Sequence, residues 1–263
     1  MCRLLGVVSA TPISVADAVG DGVLKDFVAL TKVHGDGWGL AAVGERGDHP
    51  RATVSAGTAL DDPAFAAVTH DQRAASSIVH LRWATNGLAV QPQNSHPFVA
   101  DGIAMAHNGS IKPMNLLDGL LEPGIAASLR GTTDSERYFG LIRQHRSATT
   151  DLAGAVRRAV TQLRRIYPDA SLNALLLGED QLIVVHAHAK SRLVDEDIEE
   201  ITAADLPVDH LEDYFALRST RTDDGTLIVG STGFGDLAWE PLPPECVVAI
   251  SLADASMTEH PLG

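Results

Sequence analysis

Met1-Cys2-Arg3-Leu4-Leu5-Gly6-Val7-Val8-Ser9 opens the sequence. Residues 3–9 are a short apolar run, β-branched toward its end and closed by a small polar residue, which predicts a strand. Cys2 stands at its head with Met1 its only predecessor. Cysteine is small enough for methionine removal, which would leave a thiol and a free α-amine on one residue. An α-amine titrates near about 7.7–8.0 and a thiol near about 8.5, so the residue would carry both a nucleophile and its own base. Met-Cys alone is equally a start codon followed by some residue. A lipoprotein cysteine would need a basic, apolar stretch upstream, and only Met1 lies there.

Runs like 3–9 recur at 39–43, 52–56, 77–83 and 102–107, then at 172–177, 181–187, 226–230 and 247–252, each bounded by glycine or polar clusters. Helical spacing is clearest over 151–167, where Leu152, Val156, Ala159, Val160, Leu163 and Ile166 share one face and Arg157, Arg158, Arg164 and Arg165 fall mostly on a solvated one. Thr133 and Glu136 stand at capping-box spacing and predict a helix over 133–144. Weaker patterns suggest helices over 14–30 and 62–75. The acidic stretch 194–205 reads as a solvated helix or loop, and Trp239-Glu240-Pro241-Leu242-Pro243-Pro244 as a rigid turn into a last strand. Strands spread along the chain with intervening helices predict α+β layers. No repeat or linker divides residues 1–263, which are expected to form a single domain.

Composition excludes several classes. The 34 acidic and 20 basic side chains leave a net charge of −14, which repels phosphate backbones and anionic lipid. No nucleic-acid or membrane partner is expected. No apolar run approaches the roughly 18 residues a bilayer span requires, and no targeting segment is visible, so a cytoplasmic location is expected. Cys2 and Cys246 are too few for a disulfide framework, and Cys246 reads as an inert buried thiol. No C-x-x-C pair occurs, and His186 and His188 alternate on a predicted strand, where a polar sheet edge explains them better than two ligands without a third. No metal and no cofactor are expected.

Polar clusters fall at strand ends or turns, where a rigid scaffold presents side chains. His34-Gly35-Asp36-Gly37-Trp38-Gly39 allows a tight turn or close backbone approach. Leu81-Arg82-Trp83-Ala84-Thr85-Asn86-Gly87 places an arginine fork, suited to a carboxylate, beside a tryptophan. A structural ion pair would serve Arg82 equally well. Asn94-Ser95-His96-Pro97-Phe98 is followed by His107-Asn108-Gly109-Ser110. Asn-Gly makes an ordinary hairpin turn; it also supplies a side-chain amide and an adjacent glycine N–H, the donor pair an oxyanion needs. In Thr132-Thr133-Asp134-Ser135-Glu136, Asp134 is either a favourable charge at a helix mouth or a partner for an ammonium. Arg82 and Asp134 together would recognise an amino-acid zwitterion.

In order along the chain, Met1-Cys2-Arg3-Leu4-Leu5-Gly6, Asp36-Gly37-Trp38-Gly39, Arg82-Trp83-Ala84-Thr85, His96-Pro97-Phe98, His107-Asn108-Gly109 and Thr133-Asp134-Ser135-Glu136 resemble the class II glutamine amidotransferases, whose glutaminase domain is an N-terminal-nucleophile (Ntn) hydrolase. The resemblance implies an αββα sandwich of two stacked antiparallel sheets with Cys2 at the start of a central strand. It implies catalytic roles for Cys2, Asn108 and Gly109, with Cys2 attacking a γ-carboxamide and the other two holding the oxyanion. It implies substrate binding by Arg82, Trp83, Thr85 and Asp134, with Arg82 on the α-carboxylate, Asp134 on the α-ammonium and Thr85 lining the glutamate pocket. Asn86 departs from the histidine that large synthase-fused members often carry there. That departure points toward small stand-alone members, such as the γ-glutamyl hydrolase of ergothioneine assembly, whose start looks similar. The second half matches only through residues 229–232, where Ser231 is either a neighbour of the site or a plain strand terminus, and the turn at 239–244. The implied activity is hydrolysis of glutamine or another γ-glutamyl compound through a Cys2 thioester, with a non-catalytic glutamine-binding module, or an ammonia-supplying subunit of a separate synthase, as alternatives.

Overall fold

The computed structural model describes residues 2–84 and 89–262. Its strands are β1 (Cys2–Ile13), β2 (Trp38–Val43), β3 (Arg51–Ser55), β4 (Ala74–Arg82), β5 (Phe98–Ala100), β6 (Ile103–Asn108), β7 (Asn173–Gly178), β8 (Gln181–His186), β9 (Leu217–Arg221), β10 (Leu227–Ser231), β11 (Glu240–Pro241), β12 (Cys246–Ser251) and β13 (Met257–Pro261). The helices are α1 (Val15–Val19), α2 (Asp21–Ala29), α3 (Pro63–His70), α4 (Met114–Asp118), α5 (Pro123–Ala126), α6 (Asp134–Arg146), α7 (Leu152–Ile166), α8 (Asp195–Ala203) and α9 (Val208–Glu212). No helix among the described residues is long and apolar enough to cross a membrane.

Two antiparallel sheets stack face to face, one of order β11-β9-β10-β1-β4-β2-β3 and one of order β13-β12-β8-β7-β6-β5. Both faces of β1 are covered, which explains why residues 3–9 read as a largely apolar run rather than an alternation. Leu4 and Val8 pack with Ile78 of β4 against Ala104, Ala106, Leu175 and Val184 of the other sheet. Leu5 and Val7 point the opposite way, onto Leu24, Phe27 and Phe65 of the helices behind. On the far side, Met105, Leu176 and Ile183 receive Tyr138, Leu141, Val156 and Leu163 of α6 and α7. Helix, sheet, sheet, helix is the αββα order expected.

Period-two geometry then decides what meets between the sheets. Cys2 pairs with Arg82 and Leu4 with His80 across β1 and β4, so all four share the inner face. On β6, Ala104, Ala106 and Asn108 alternate away from Met105 and His107, and Asn108 closes the strand on the same inner side.

Several expectations need correction. The helix predicted over 14–30 is broken at Gly20, whose φ of 83° no helix accommodates, into α1 and α2. The one over 62–75 stops at His70, and Ala74 and Ala75 already belong to β4. His186 and His188 do not mark a sheet edge, because β8 lies between β12 and β7. His186 Nδ1 instead faces the carbonyls of Leu242 (3.1 Å) and Pro243 (3.2 Å). Arg164 is not merely solvated: its fork meets Glu245 at 3.1 Å on both nitrogens. The capping box at α6 is half formed. Thr133 Oγ1 accepts from the Glu136 N–H at 3.1 Å, but the Glu136 carboxylate turns back to the N–H groups of Arg130 and Gly131.

Candidate active site

Cys2 is 5% exposed at the inter-sheet end of β1. Its backbone N–H donates to Asn108 Oδ1 at 2.9 Å, a buried bond that ties the ends of the two sheets together. Asn108 is fully buried, and its Nδ2 has no hydrogen-bond partner among the described residues. An orphaned buried amide costs about 1–3 kcal/mol, and Nδ2 is thereby left as a donor open to a ligand. The Asn108 carbonyl is held by Ser171 Oγ at 2.7 Å, which fixes the backbone where Gly109 begins. At Gly109 a Cβ would run into the Ser171 carbonyl and lie 2.7 Å from His107 Nε2, so the position admits no side chain.

Arg82 is 3% exposed beside Cys2. The structural ion pair weighed for it is not formed among the described residues. Its Nη1 and Nη2 reach the carbonyls of Asp36 (3.4 Å) and Ala89 (3.3 Å). The Asp36-Gly37 turn is laced to Arg82 by backbone bonds of 3.0 and 2.8 Å, and Asp36 Oδ2 accepts from the Ala84 N–H at 2.8 Å. Asp36 is thus a positioning residue that sequence reading passed over, because an acid in a glycine-rich turn looks like any other. Gly39 admits the second sheet's entry: a Cβ there would strike the His96 carbonyl.

Thr85 and Asn86 lie outside the described residues. Trp83 is 8% exposed, meets His34 edge-on at 5.5 Å and forms a wall of a cavity of about 630 Å³. The same cavity is lined by Ala84, Ser110, Lys112, Phe215 and, from α8, Glu196, Asp197 and Glu200. It therefore borders the Arg82 side of the site through Trp83 and the Gly109 side through Ser110. Asp134 is the first residue of α6 and only partly buried; Oδ2 accepts from the Ile111 N–H at 2.5 Å and Oδ1 from the Ser135 N–H at 3.0 Å. Its carboxylate thus pins the segment leaving Gly109 to the mouth of α6, near the cap reading, although the cap itself is Thr133.

Three buried histidines back the site. His80 Nε2 and His96 Nδ1 are 2.9 Å apart, and His96 Nδ1 also accepts from the His107 N–H at 3.3 Å. His107 Nε2 faces the Ser171 carbonyl at 3.0 Å, which assigns its proton to that nitrogen. Burial, reinforced by Arg82, pushes His80 well below the ordinary imidazole pKa. Burial and then His80 do the same to His96, and burial lowers His107. All three are neutral near pH 7. Ser231, a candidate only through its strand end, accepts from the Leu4 N–H at 3.1 Å and so anchors β1 two residues past Cys2. Arg3, buried behind Cys2 with its guanidinium 3.7 Å over the Tyr214 ring, was not singled out from sequence. Cys246 is buried in the inter-sheet core, and burial raises its thiol pKa, as expected of an inert thiol.

Residues 1–251 match the family model described as glutamine amidotransferases class-II. The glutamine--fructose-6-phosphate aminotransferase [isomerizing] of Acidithiobacillus ferridurans is 32% identical over 186 residues, 70% of this chain and 28% of that protein. The same enzyme of Yersinia pseudotuberculosis is 32% identical over 171 residues, 64% of this chain and 26% of that one. The chain thus spans about a quarter of the length of these relatives. Among solved structures, a glutamine aminotransferase class-II domain protein of Silicibacter pomeroyi superposes with a TM-score of 0.64 at 19% identity, covering 99% of this chain and 100% of that one. The glutamine phosphoribosylpyrophosphate amidotransferase of B. subtilis superposes with a TM-score of 0.62 at 16% identity, over 100% of this chain and 49% of that one. These two likenesses concern the fold, and the family follows from the extent of the sequence match: the chain belongs to the class II glutamine amidotransferases.

Proposed function

We propose that this chain hydrolyses a γ-glutamyl amide through a thioester on Cys2, after removal of Met1. The observation that carries the reading is the double engagement of Asn108: its Oδ1 holds the Cys2 nitrogen while its Nδ2, buried and without a partner among the described residues, remains to donate. The α-amine of the processed Cys2 takes the thiol proton, and Sγ attacks the γ-carbonyl. The oxyanion is held by Asn108 Nδ2 and the Gly109 N–H. Collapse expels ammonia or an amine, which leaves with the proton, and water then releases glutamate from the thioester. Arg82, which forms no ion pair among the described residues, holds the α-carboxylate. Asp134 holds the α-ammonium, and Trp83 and Thr85 line the glutamate pocket.

The leaving group can be ammonia or a substituted amine. The cavity beyond Trp83 offers room for a substituent on the amide nitrogen, and its acidic residues suit a cationic one. Delivery of ammonia to a synthase partner is the second reading. It is favoured by relatives in which the matching region is a quarter of a longer aminotransferase. Glutamate release measured with glutamine and with a series of γ-glutamyl amides tests the proposal. Turnover of substituted amides with kcat/KM at or above that for glutamine supports the hydrolase. Turnover of glutamine alone, accelerated by a synthase partner, supports ammonia supply. No turnover of either by protein lacking Met1 would reduce the chain to a binding module and overturn the proposal.

A further inference from the structure

The mechanism leaves two buried imidazoles beside the nucleophile unused. The Cys2 sulfur, one ring nitrogen of His80 and one of His96 all lie within 4.8 Å of one another, and all three residues are buried. His80 Nδ1, on a side chain with no exposed surface, has no hydrogen-bond partner among the described residues. Thiolate and imidazole are the donors that zinc prefers. Tetrahedral coordination at about 2.0–2.3 Å sets neighbouring donors about 3.3–3.6 Å apart, within reach of side-chain rotation from the distances here. A fourth donor is built into the same residue. Once Met1 is gone, the Cys2 nitrogen is an amine whose lone pair closes a five-membered N,S ring with Sγ, while one of its N–H bonds still points to Asn108 Oδ1.

We propose that the processed N-terminus is a binding site for a thiophilic divalent cation, zinc foremost, ligated by Cys2 Sγ, the Cys2 α-amine, His80 and His96. This inference rests on the removal of Met1 assumed above, since an amide nitrogen cannot ligate in this way. Binding exchanges the thiol proton, released to solvent, for a sulfur–metal bond. It takes up the nucleophile and its base together, so the metal-bound protein is a reversibly silenced form. The sequence concealed this site because its ligands come from three separate segments with no short spacing between them.

The test uses full-length protein whose intact mass lacks Met1. It is titrated with zinc against a chromophoric chelator and, in parallel, with cobalt(II), whose thiolate-to-metal charge-transfer band in the near ultraviolet reports sulfur ligation. One equivalent of metal is expected, with the band abolished in Cys2→Ser and retained in Cys246→Ser. Loss of an outer-sphere partner alone costs about 10–100-fold in affinity, so His80→Ala and His96→Ala are each expected to weaken zinc binding by about 100-fold or more. Should either histidine variant fail to fold, alkylation of Cys2 in the wild-type protein must erase the band. A chelator is expected to restore glutamate release to zinc-treated enzyme. Failure to bind one equivalent, or a band that survives Cys2→Ser, overturns the inference. Processed enzyme that turns over a γ-glutamyl amide but binds no metal sinks this inference alone, whereas retention of Met1 sinks the proposed mechanism as well.

Discussion

Replacing Asn108 by aspartate separates the two tasks proposed for one side chain. Aspartate keeps an oxygen where Oδ1 accepts from the Cys2 nitrogen at 2.9 Å and substitutes an acceptor for the unpartnered Nδ2 donor. Loss of one oxyanion donor costs about 10²–10³ in kcat, or about 2.7–4 kcal/mol of transition-state stabilisation. The anionic acceptor also favours the protonated α-amine, which removes the base, so the effect sits at or beyond the upper end of that range. Asn108→Ala loses the donor and the tether, yet forfeits only one made hydrogen bond in the resting fold, about 1 kcal/mol of stability. Steady-state glutamate release gives kcat and KM separately, and denaturant unfolding gives the stability. Both variants are expected to fall by about 10³ in kcat with KM changed by no more than about threefold, since the oxyanion forms only in the transition state. If the tether were the essential role, aspartate would rescue the activity that alanine loses. An Asp variant within about tenfold of wild-type kcat would refute the oxyanion assignment.

Arg82→Ala is expected to raise KM for glutamine by about 10–100-fold, the worth of a charge-assisted hydrogen bond, with kcat changed less; equal loss in kcat alone would point away from carboxylate binding. Gly109→Ala places a Cβ against the Ser171 carbonyl and His107 Nε2, and overpacking of this kind costs about 1–3 kcal/mol, visible as a lowered denaturation midpoint together with reduced turnover. Burial, with His188 adding to it, lowers the His186 pKa to about 4. The unfolded chain therefore takes up a proton near pH 6.5, before the folded one does. Stability from this residue is fully present above pH 6.5 and is lost as pH falls toward 4, the loss reaching roughly 2 kcal/mol by pH 5. His186→Gln should flatten the stability profile between pH 7 and 5 by that amount, and an unchanged slope would contradict the assignment.

The positions where chemistry would occur were legible because they sit where a period-two strand ends. Cys2, Arg82 and Asn108 each close or open a buried strand whose run of small and apolar residues is plain in the sequence, and the topology brings those ends together. The four short or polar strands β5, β9, β11 and β13 escaped sequence reading, since three of them are sheet edges held by backbone pairing rather than by an apolar pattern. At Gly20, helical spacing on both sides hides a break that only φ reveals. What stayed invisible was convergence at long range. Asp36 bracing Ala84, Ser231 anchoring Leu4, and His80 and His96 gathering about Cys2 depend on contacts between segments far apart in the chain.

Incubation of the processed protein with an electrophilic glutamine analogue, followed by intact mass and mapping of the modified peptide, tests the role of Cys2 most directly. One adduct on Cys2, blocked by excess glutamine and accompanied by loss of glutamate release, is the predicted result. An adduct on Cys246, or undiminished glutamate release from Cys2→Ala protein, would contradict it.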